Sequence, residues 1–233
     1  MALARIVRMK VLSIDIDYIV DNYLNERYDG ELRPWFNKTA DVWLYWWMAL
    51  HKTGEGESQY HNKGNFEFIE QVFLEALKAQ PRVIFSTDHD DIFHFMEDAE
   101  DIEIINIDAH HDLVQDINFH EGSWGWYLWP KVRSWTWVKN KWPDGGGSTL
   151  TKEPIDPKLK IITKNDWDTI DFRPDLVFVT LSIDYLDPKF WWAYAKLKKH
   201  HRRHITSTRV PPNKDGVYPR VWPKELDEEA SKN

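Results

Sequence analysis

Three apolar runs in this chain end in acids or histidines, and the spacing of those side chains is what could do chemistry. Asp108, His110 and Asp112 follow the run Ile102–Ile107 at i, i+2 and i+4. In extended backbone alternate side chains share a face. Two or three of these groups can therefore converge just past a strand end. His89 follows the shorter run Val83–Phe85, and Asp15 and Asp17 close the run Val7–Ile16 at i and i+2. Each group has a plainer reading as a solvated turn, and a lone histidine is more often only hydrogen-bonded. Three strand ends that all deliver Asp or His are harder to dismiss. Buried carboxylates must be paired or bind metal, and the neighbouring cations Lys10 and Arg82 fall at strand starts. The pattern therefore favours metal. Four Asp and two His without sulfur suit a hard ion such as Mn²⁺, whereas structural zinc prefers thiolate. Four carboxylates can carry two divalent ions, which together clamp a water and lower its pKa.

Such residues need parallel strands to position them. Val7–Ile16, Val83–Phe85, Ile102–Ile107, Lys160–Thr163 and Leu176–Ser182 read as buried strands, being short and apolar. Asn65–Ala79 carries Ile69, Val72, Phe73, Ala76 and Leu77 as one stripe at helical spacing, with Asn65 as its cap and Pro81 as its stop. Thr39–Leu50, Asp90–Ala99 and Pro188–Lys199 are further expected helices. Phe119–Gly147, aromatic and then glycine-rich, reads as a long loop or lid. Strands alternating with helices predict an α/β fold, a three-layer α-β-α arrangement with a mostly parallel sheet. Sites in such sheets form at the carboxyl ends of the strands, where the acids and histidines fall. Residues 1–222 are expected to form a single domain and 223–233 a charged tail.

Composition narrows the field. At 233 residues one core can bury about 70% of the unfolded surface, so one domain is the default. The net charge of −8 argues against a general nucleic-acid binder. No apolar run approaches the roughly 20 residues of a membrane span, and Met1–Lys10 lacks a signal-peptide stretch. The absence of cysteine excludes disulfides, thiolate zinc sites and a cysteine nucleophile, and fits a reducing, cytoplasmic setting. Among 14 Trp, Trp124, Trp126, Trp129, Trp135, Trp137 and Trp142 crowd one segment. They could line a groove for a peptide or pack the core. The basic run Lys196–His204 is a solvated face or a dock for an acidic peptide segment; the acidic stretch Glu97–Glu103 reads as a solvated helix end.

Asp108-Ala109-His110-His111-Asp112 resembles the Asp-Ala-His-x-Asp motif of the ureohydrolases, the superfamily of the arginase, agmatinase and deacetylase fold. Asp88-His89 resembles that family's Asp-His motif, which supplies a metal-binding His. Asn118-Phe119-His120-Glu121-Gly122 resembles the arginase segment whose His shuttles protons. In arginases a Ser-x-Asp-x-Asp motif with two further ligands comes late in the chain. Here the late copy, Ser182-Ile183-Asp184-Tyr185-Leu186-Asp187-Pro188, has Ser182 in place of the bridging Asp, and the complete motif, Ser13-Ile14-Asp15-Ile16-Asp17, lies near the N-terminus. The resemblance implies a compact, permuted arginase-like fold whose first strand takes the place of the family's late metal-bearing strand. It points to the branch containing the peptide arginases of ribosomal peptide maturation, which convert arginine residues of a precursor peptide to ornithine.

That resemblance implies two Mn²⁺: one held by His89, Asp108, Asp112 and Asp15, the other by Asp108, His110, Asp15 and Asp17, with Asp15 and Asp108 bridging. It further implies Asp112 or a neighbouring acid orienting the attacking water and His120 protonating the leaving amine. Charge, not the resemblance, makes Asp184 and Glu121 candidates for contacting a guanidinium beside two cations, and the apolar and cation–π surface of Trp124 makes it a candidate for contacting the peptide. Other readings remain open. Zinc deacetylases share the fold, so Asp108, His110 and Asp17 could hold one Zn²⁺. A small-molecule ureohydrolase would act on agmatine or free arginine. The Asp15/Asp17 pair is also similar to that of aspartate-nucleophile phosphatases. A binding module would use the tryptophans and leave the acids structural.

Overall fold

A computed structural model describes residues 8–20, 62–115, 121–140, 156–181, 186 and 190–204. The expected helix Thr39–Leu50, His120, Trp142, Asp184 and the tail 223–233 lie outside the described residues. The described residues form six strands: β1 (Met9–Asp15), β2 (Arg82–Ser86), β3 (Ile102–Asp108), β4 (Val132–Lys139), β5 (Leu159–Ile162) and β6 (Leu176–Thr180). They make one sheet in the order β2-β6-β1-β3-β4-β5, and every pairing is parallel. Among the described residues four α-helices accompany it: α1 (Lys63–Leu77), α2 (Phe93–Met96), α3 (Trp124–Leu128) and α4 (Trp192–His204).

Alternation along the strands builds two cores. Leu12, Ile14, Ile105, Ile107, Val177 and Val179 point to one face, covered by Phe66, Ile69 and Phe73 of α1 and Ala193, Tyr194 and Leu197 of α4. Val11, Ile84, Ile104 and Phe178 point to the other, covered by Ile92, Met96, Trp124 and Leu128. The result is the expected three-layer α/β architecture, because a parallel sheet must hide both faces. None of the helices among the described residues is long and apolar enough to cross a membrane.

The connection leaving β1 leads to β2 on one side of the sheet, and the connection leaving β3 leads to β4 on the other. The strand order therefore reverses between β1 and β3, which are neighbours. A crevice at such a reversal, outside the carboxyl ends of the strands, is where open α/β sheets place their ligands.

Several elements differ from expectation. The described part of Phe119–Gly147, residues 121–140, is not a loop: within it lie α3 and the eight-residue strand β4. Trp135 and Trp137, two residues apart, pack together on one face, and aromatic and β-branched residues favour strands. Helix α1 starts earlier than Asn65, because the Asn62 side chain accepts from the Asn65 amide at 3.2 Å and takes the capping role. It ends at Leu77, before the left-handed Gln80 that precedes Pro81. Asp90–Ala99 shortens to a 3₁₀ turn, His89–Ile92, and α2.

The charged runs have partners. Lys196 and His200 of α4 both reach Glu70 of α1, at 2.9 and 2.6 Å. Asp101 pairs with Arg8 and Arg133, and Glu103 with Arg133, at the start of β3.

Candidate metal centre

Register determines which side chains meet. Ser13 lies beside Asn106 and Phe178, so these three share a row on one face. One step on, the face carries Asp15 and Asp108 at the carboxyl ends of adjacent strands. Asp17 follows in the 3₁₀ turn Ile16–Ile19, whose N-cap is Asp15: its Oδ1 accepts from the Asp17 amide at 3.1 Å. His110 and Asp112 follow β3, and the His110 amide donates to Asp108 Oδ1 at 2.7 Å. His89 comes from the turn after β2, two strands away from β1.

All six side chains are buried. His89 Nδ1 lies 3.2 Å from Asp15 Oδ2, 3.2 Å from Asp108 Oδ2 and 3.3 Å from Asp112 Oδ2. His110 Nδ1 lies 3.2 Å from Asp17 Oδ2 and 3.6 Å from Asp108 Oδ1. A single imidazole nitrogen carries at most one proton, yet three carboxylates converge on His89 Nδ1. Two donor groups result, Asp15/His89/Asp108 and Asp17/Asp108/His110, and within each the ligand atoms lie within 4.8 Å of one another. Asp108 belongs to both, one oxygen facing each imidazole. The set is hard oxygen plus imidazole, which suits a divalent cation in each group.

Electrostatics favour the same reading. Burial, reinforced by the charges of Asp17 and Asp108, pushes the Asp15 carboxyl up to about 7. Burial and Asp17 raise Asp108; burial and Asp108 raise Asp112 well above the usual carboxylate range. Burial opposes charge on His89, but the carboxylates of Asp112, Asp108 and Asp15 outweigh it and raise its pKa. Asp15, Asp108 and Asp112, crowded in low dielectric, resist ionising together, and a bound cation reverses that preference.

Further residues contact these side chains in roles that the sequence motifs did not indicate. Ser13 Oγ lies 2.7 Å from His89 Nε2. If Nε2 carries the proton and donates to Ser13, Nδ1 presents its lone pair to the carboxylates. Phe178 stacks on the same ring at 6.2 Å with a 5° interplanar angle, and Trp124 packs 5.1 Å away. Asn106 Nδ2 donates to Asp108 Oδ2 at 3.2 Å and Asp112 Oδ2 at 3.0 Å. Trp137 Nε1 donates to the Asp108 carbonyl at 2.9 Å. Ser13 and Asn106 each stand two residues before an aspartate of the centre. A polar residue inside an apolar strand, on the ligand's own face, was the available signal. Ser13→Ala should weaken divalent-ion binding about 10- to 100-fold, the usual cost of losing such a support. Isothermal titration of the metal-stripped protein measures it, and an unchanged isotherm would show that Ser13 does not orient His89.

Asp112 sits at φ 57, in the left-handed region that Asp tolerates better than most residues. Its carbonyl accepts from the Gly125 amide at 3.0 Å. A methyl on Gly125 would strike the Trp135 ring, with Cζ3 at 2.8 Å, and the Asp112 carbonyl oxygen at 2.9 Å. Gly125→Ala should therefore cost about 1–3 kcal/mol in urea unfolding, the usual penalty of overpacking; a stability equal to wild type would mean the contact relaxes freely.

The remaining expected site residues are placed as follows. Trp124 has no exposed surface: it packs on His89 and Trp135, backing a ligand instead of lining a groove. Trp135 and Trp137 are core residues too, because indoles this close to the sheet gain most by burial. Trp126 and Trp129 are half-buried. Glu121 opens a 3₁₀ turn, Glu121–Ser123, ahead of α3. His120 and Asp184 fall outside the described residues.

Fold and site together define an α/β protein with a buried carboxylate–imidazole centre at the reversal point of a parallel sheet. No protein-family model, curated protein or solved structure matches the chain.

Proposed function

We propose that this chain is a binuclear metallohydrolase of ureohydrolase type that converts arginine residues of a precursor peptide to ornithine. The observation that carries the reading is the sharing of Asp108 between two buried donor groups. The permuted arrangement is supported by β1, which bears Asp15 and leads into Asp17, lying parallel beside β3, which bears Asp108. His89, Asp108, Asp112 and Asp15 would hold one Mn²⁺, and Asp108, His110, Asp15 and Asp17 the other. Such a pair supplies a water of lowered pKa and a Lewis acid. The chain's own residues do the rest. Asp112 accepts a hydrogen bond from the attacking water and aims it. Water oxygen bonds to the guanidinium carbon, the bond from that carbon to the side-chain nitrogen breaks, and His120 protonates the departing amine. Ornithine and urea result, and atoms balance with one water consumed. Asp184 and Glu121 offset the substrate's positive charge.

The test is mass spectrometry of an arginine-containing peptide incubated with Mn²⁺-loaded protein, with urea measured alongside. A peptide mass lower by CH₂N₂ per arginine and an equal yield of urea are expected. Urea from free arginine at the same rate would remove the peptide part; no urea from peptide, arginine or agmatine would overturn the reaction.

One observation favours a second reading. Asp17, Asp108 and His110 form a complete donor group alone, as a single-Zn²⁺ deacetylase requires. Metal analysis separates the two: a pair of ions per chain supports guanidinium hydrolysis, and one Zn²⁺ with release of acetate from acyl-lysine supports the rival. The His89 group, which the deacetylase leaves unused, is why the binuclear reading is preferred.

A further inference from the structure

The turn that carries Asp17 is anchored by a one-way chain of side-chain hydrogen bonds. Lys164 Nζ lies 2.7 Å from Asn65 Oδ1. An ammonium only donates, so the Asn65 oxygen faces Lys164 and its amino group faces inward. There it donates to Asn140 Oδ1 at 3.0 Å and to the Tyr18 carbonyl at 3.1 Å. That orients Asn140 in turn, whose amino group donates to the carbonyls of Tyr18 and Val20, both at 2.8 Å. Carbonyls only accept, so the chain closes without a mismatch. The Val20 amide donates to the Asp17 carbonyl at 3.1 Å and the Asn62 amide to that of Ile19 at 2.8 Å. Every carbonyl from Asp17 to Val20 is thus held, and Asn65 and Asn140 are buried.

The two donor groups differ in what fixes them. Asp15 and Asp108 are strand residues: Asp15 pairs with Thr180 and Asp108 with Lys139. Asp17 lies two residues beyond the end of β1, where no ladder pairing reaches it; its carboxylate accepts from the Ala109 amide at 3.4 Å, and its backbone is placed by the turn. We propose that Asn140, with Asn65 and Lys164 behind it, positions Asp17 and so sets the affinity for the second cation, the one held by Asp17, Asp108 and His110, while leaving the Asp15/His89/Asp108 group intact. This rests on the binuclear reading above. It predicts stepwise loading, with the second step under the control of residues that touch no ion.

The test titrates Mn²⁺ into the full, metal-stripped chain, followed by calorimetry and by electron paramagnetic resonance. Wild type should take up two ions and show an exchange-coupled pair. Asn140→Ala should bind the first ion as wild type does and the second about 10- to 100-fold more weakly, so that uncoupled Mn²⁺ signal persists at ratios where wild type is coupled. Lys164→Met, which leaves both amides in place, should shift the second step in the same direction by less, and Lys164→Arg should restore it. These two variants decide the matter if Asn140→Ala does not fold. An unchanged second affinity overturns the inference, as does a parallel loss of both affinities with loss of stability, which would make the chain merely structural. A wild type that takes up one ion or none overturns the binuclear reading itself, and this inference with it.

Discussion

Replacing Asp108 with asparagine should abolish uptake of both ions and with it the activity, and should at the same time stabilise the metal-free protein. The two effects have one cause. Asp108 gives one oxygen to each imidazole group, so its loss cannot be confined to one ion. Binding should weaken by more than the roughly 100-fold upper cost of losing an outer support. Without metal, Asp108 is fully buried among Asp15, Asp17 and Asp112, and burial together with Asp17 already raises its pKa. A neutral amide of the same shape relieves that repulsion and its oxygen can still accept from the His110 amide, at the cost of the hydrogen bond from Asn106 to the other oxygen. Saturating metal should reverse the ranking. An ion at 100 times its Kd stabilises by about 2.7 kcal/mol, and only wild type collects that. Thermal unfolding of both proteins, with chelator and with Mn²⁺, tests this. A variant less stable than wild type under chelator would mean the carboxylate is compensated within the metal-free protein.

The second large effect is on pH. The Asp15 carboxyl stands at about 7 in the folded chain against an ordinary value of 3.8. Between those limits the folded protein keeps a proton that the unfolded chain gives up. Its contribution to stability is therefore full below about 4 and lost as pH rises towards 7. Asp108 and Asp112, also raised, add the same sign. So does His89, whose stabilisation is present below its ordinary 6.5 and lost as pH rises through its raised folded value. Metal-stripped protein should thus be more stable at pH 5.5 than at pH 8. With Mn²⁺ the slope should invert, because the ligands bind as carboxylates and neutral imidazole, and protons compete with the ion. Unfolding midpoints at the two pH values, with and without metal, provide the measurement. The same slope in both conditions would show that the cluster takes up no ion.

Much of this centre was legible in the sequence because strand ends are short-range signals. Asp15, His89 and Asp108 each follow an apolar run, and the alternation that buries Leu12 and Ile14 fixes which face Ser13 and Asp15 occupy. What could not be read was long-range. Nothing in the local pattern says that β6 lies between β1 and β2, or that Asn140 reaches back to Tyr18 and Val20 across more than a hundred residues. The tryptophan segment misled for a related reason. Its composition is that of a binding surface as much as of a core, and only the pairing of β4 with β3 and β5 turns Trp135 and Trp137 inward. Asn65 was legible as a polar residue at the start of a helix but not as a link in a buried chain, since Asn62 does the capping.

The strand order bears on how the chain is made. All six side chains of the candidate centre have left the ribosome once residue 112 emerges, yet in the finished sheet the strand before His89 is separated from that of Asp15 by a strand ending at Thr180. A nascent chain halted between those points owns every side chain of the candidate centre without the strand that spaces them. If the centre takes up cations, the spacing of its donors is complete only once the late strand lies between the two early ones.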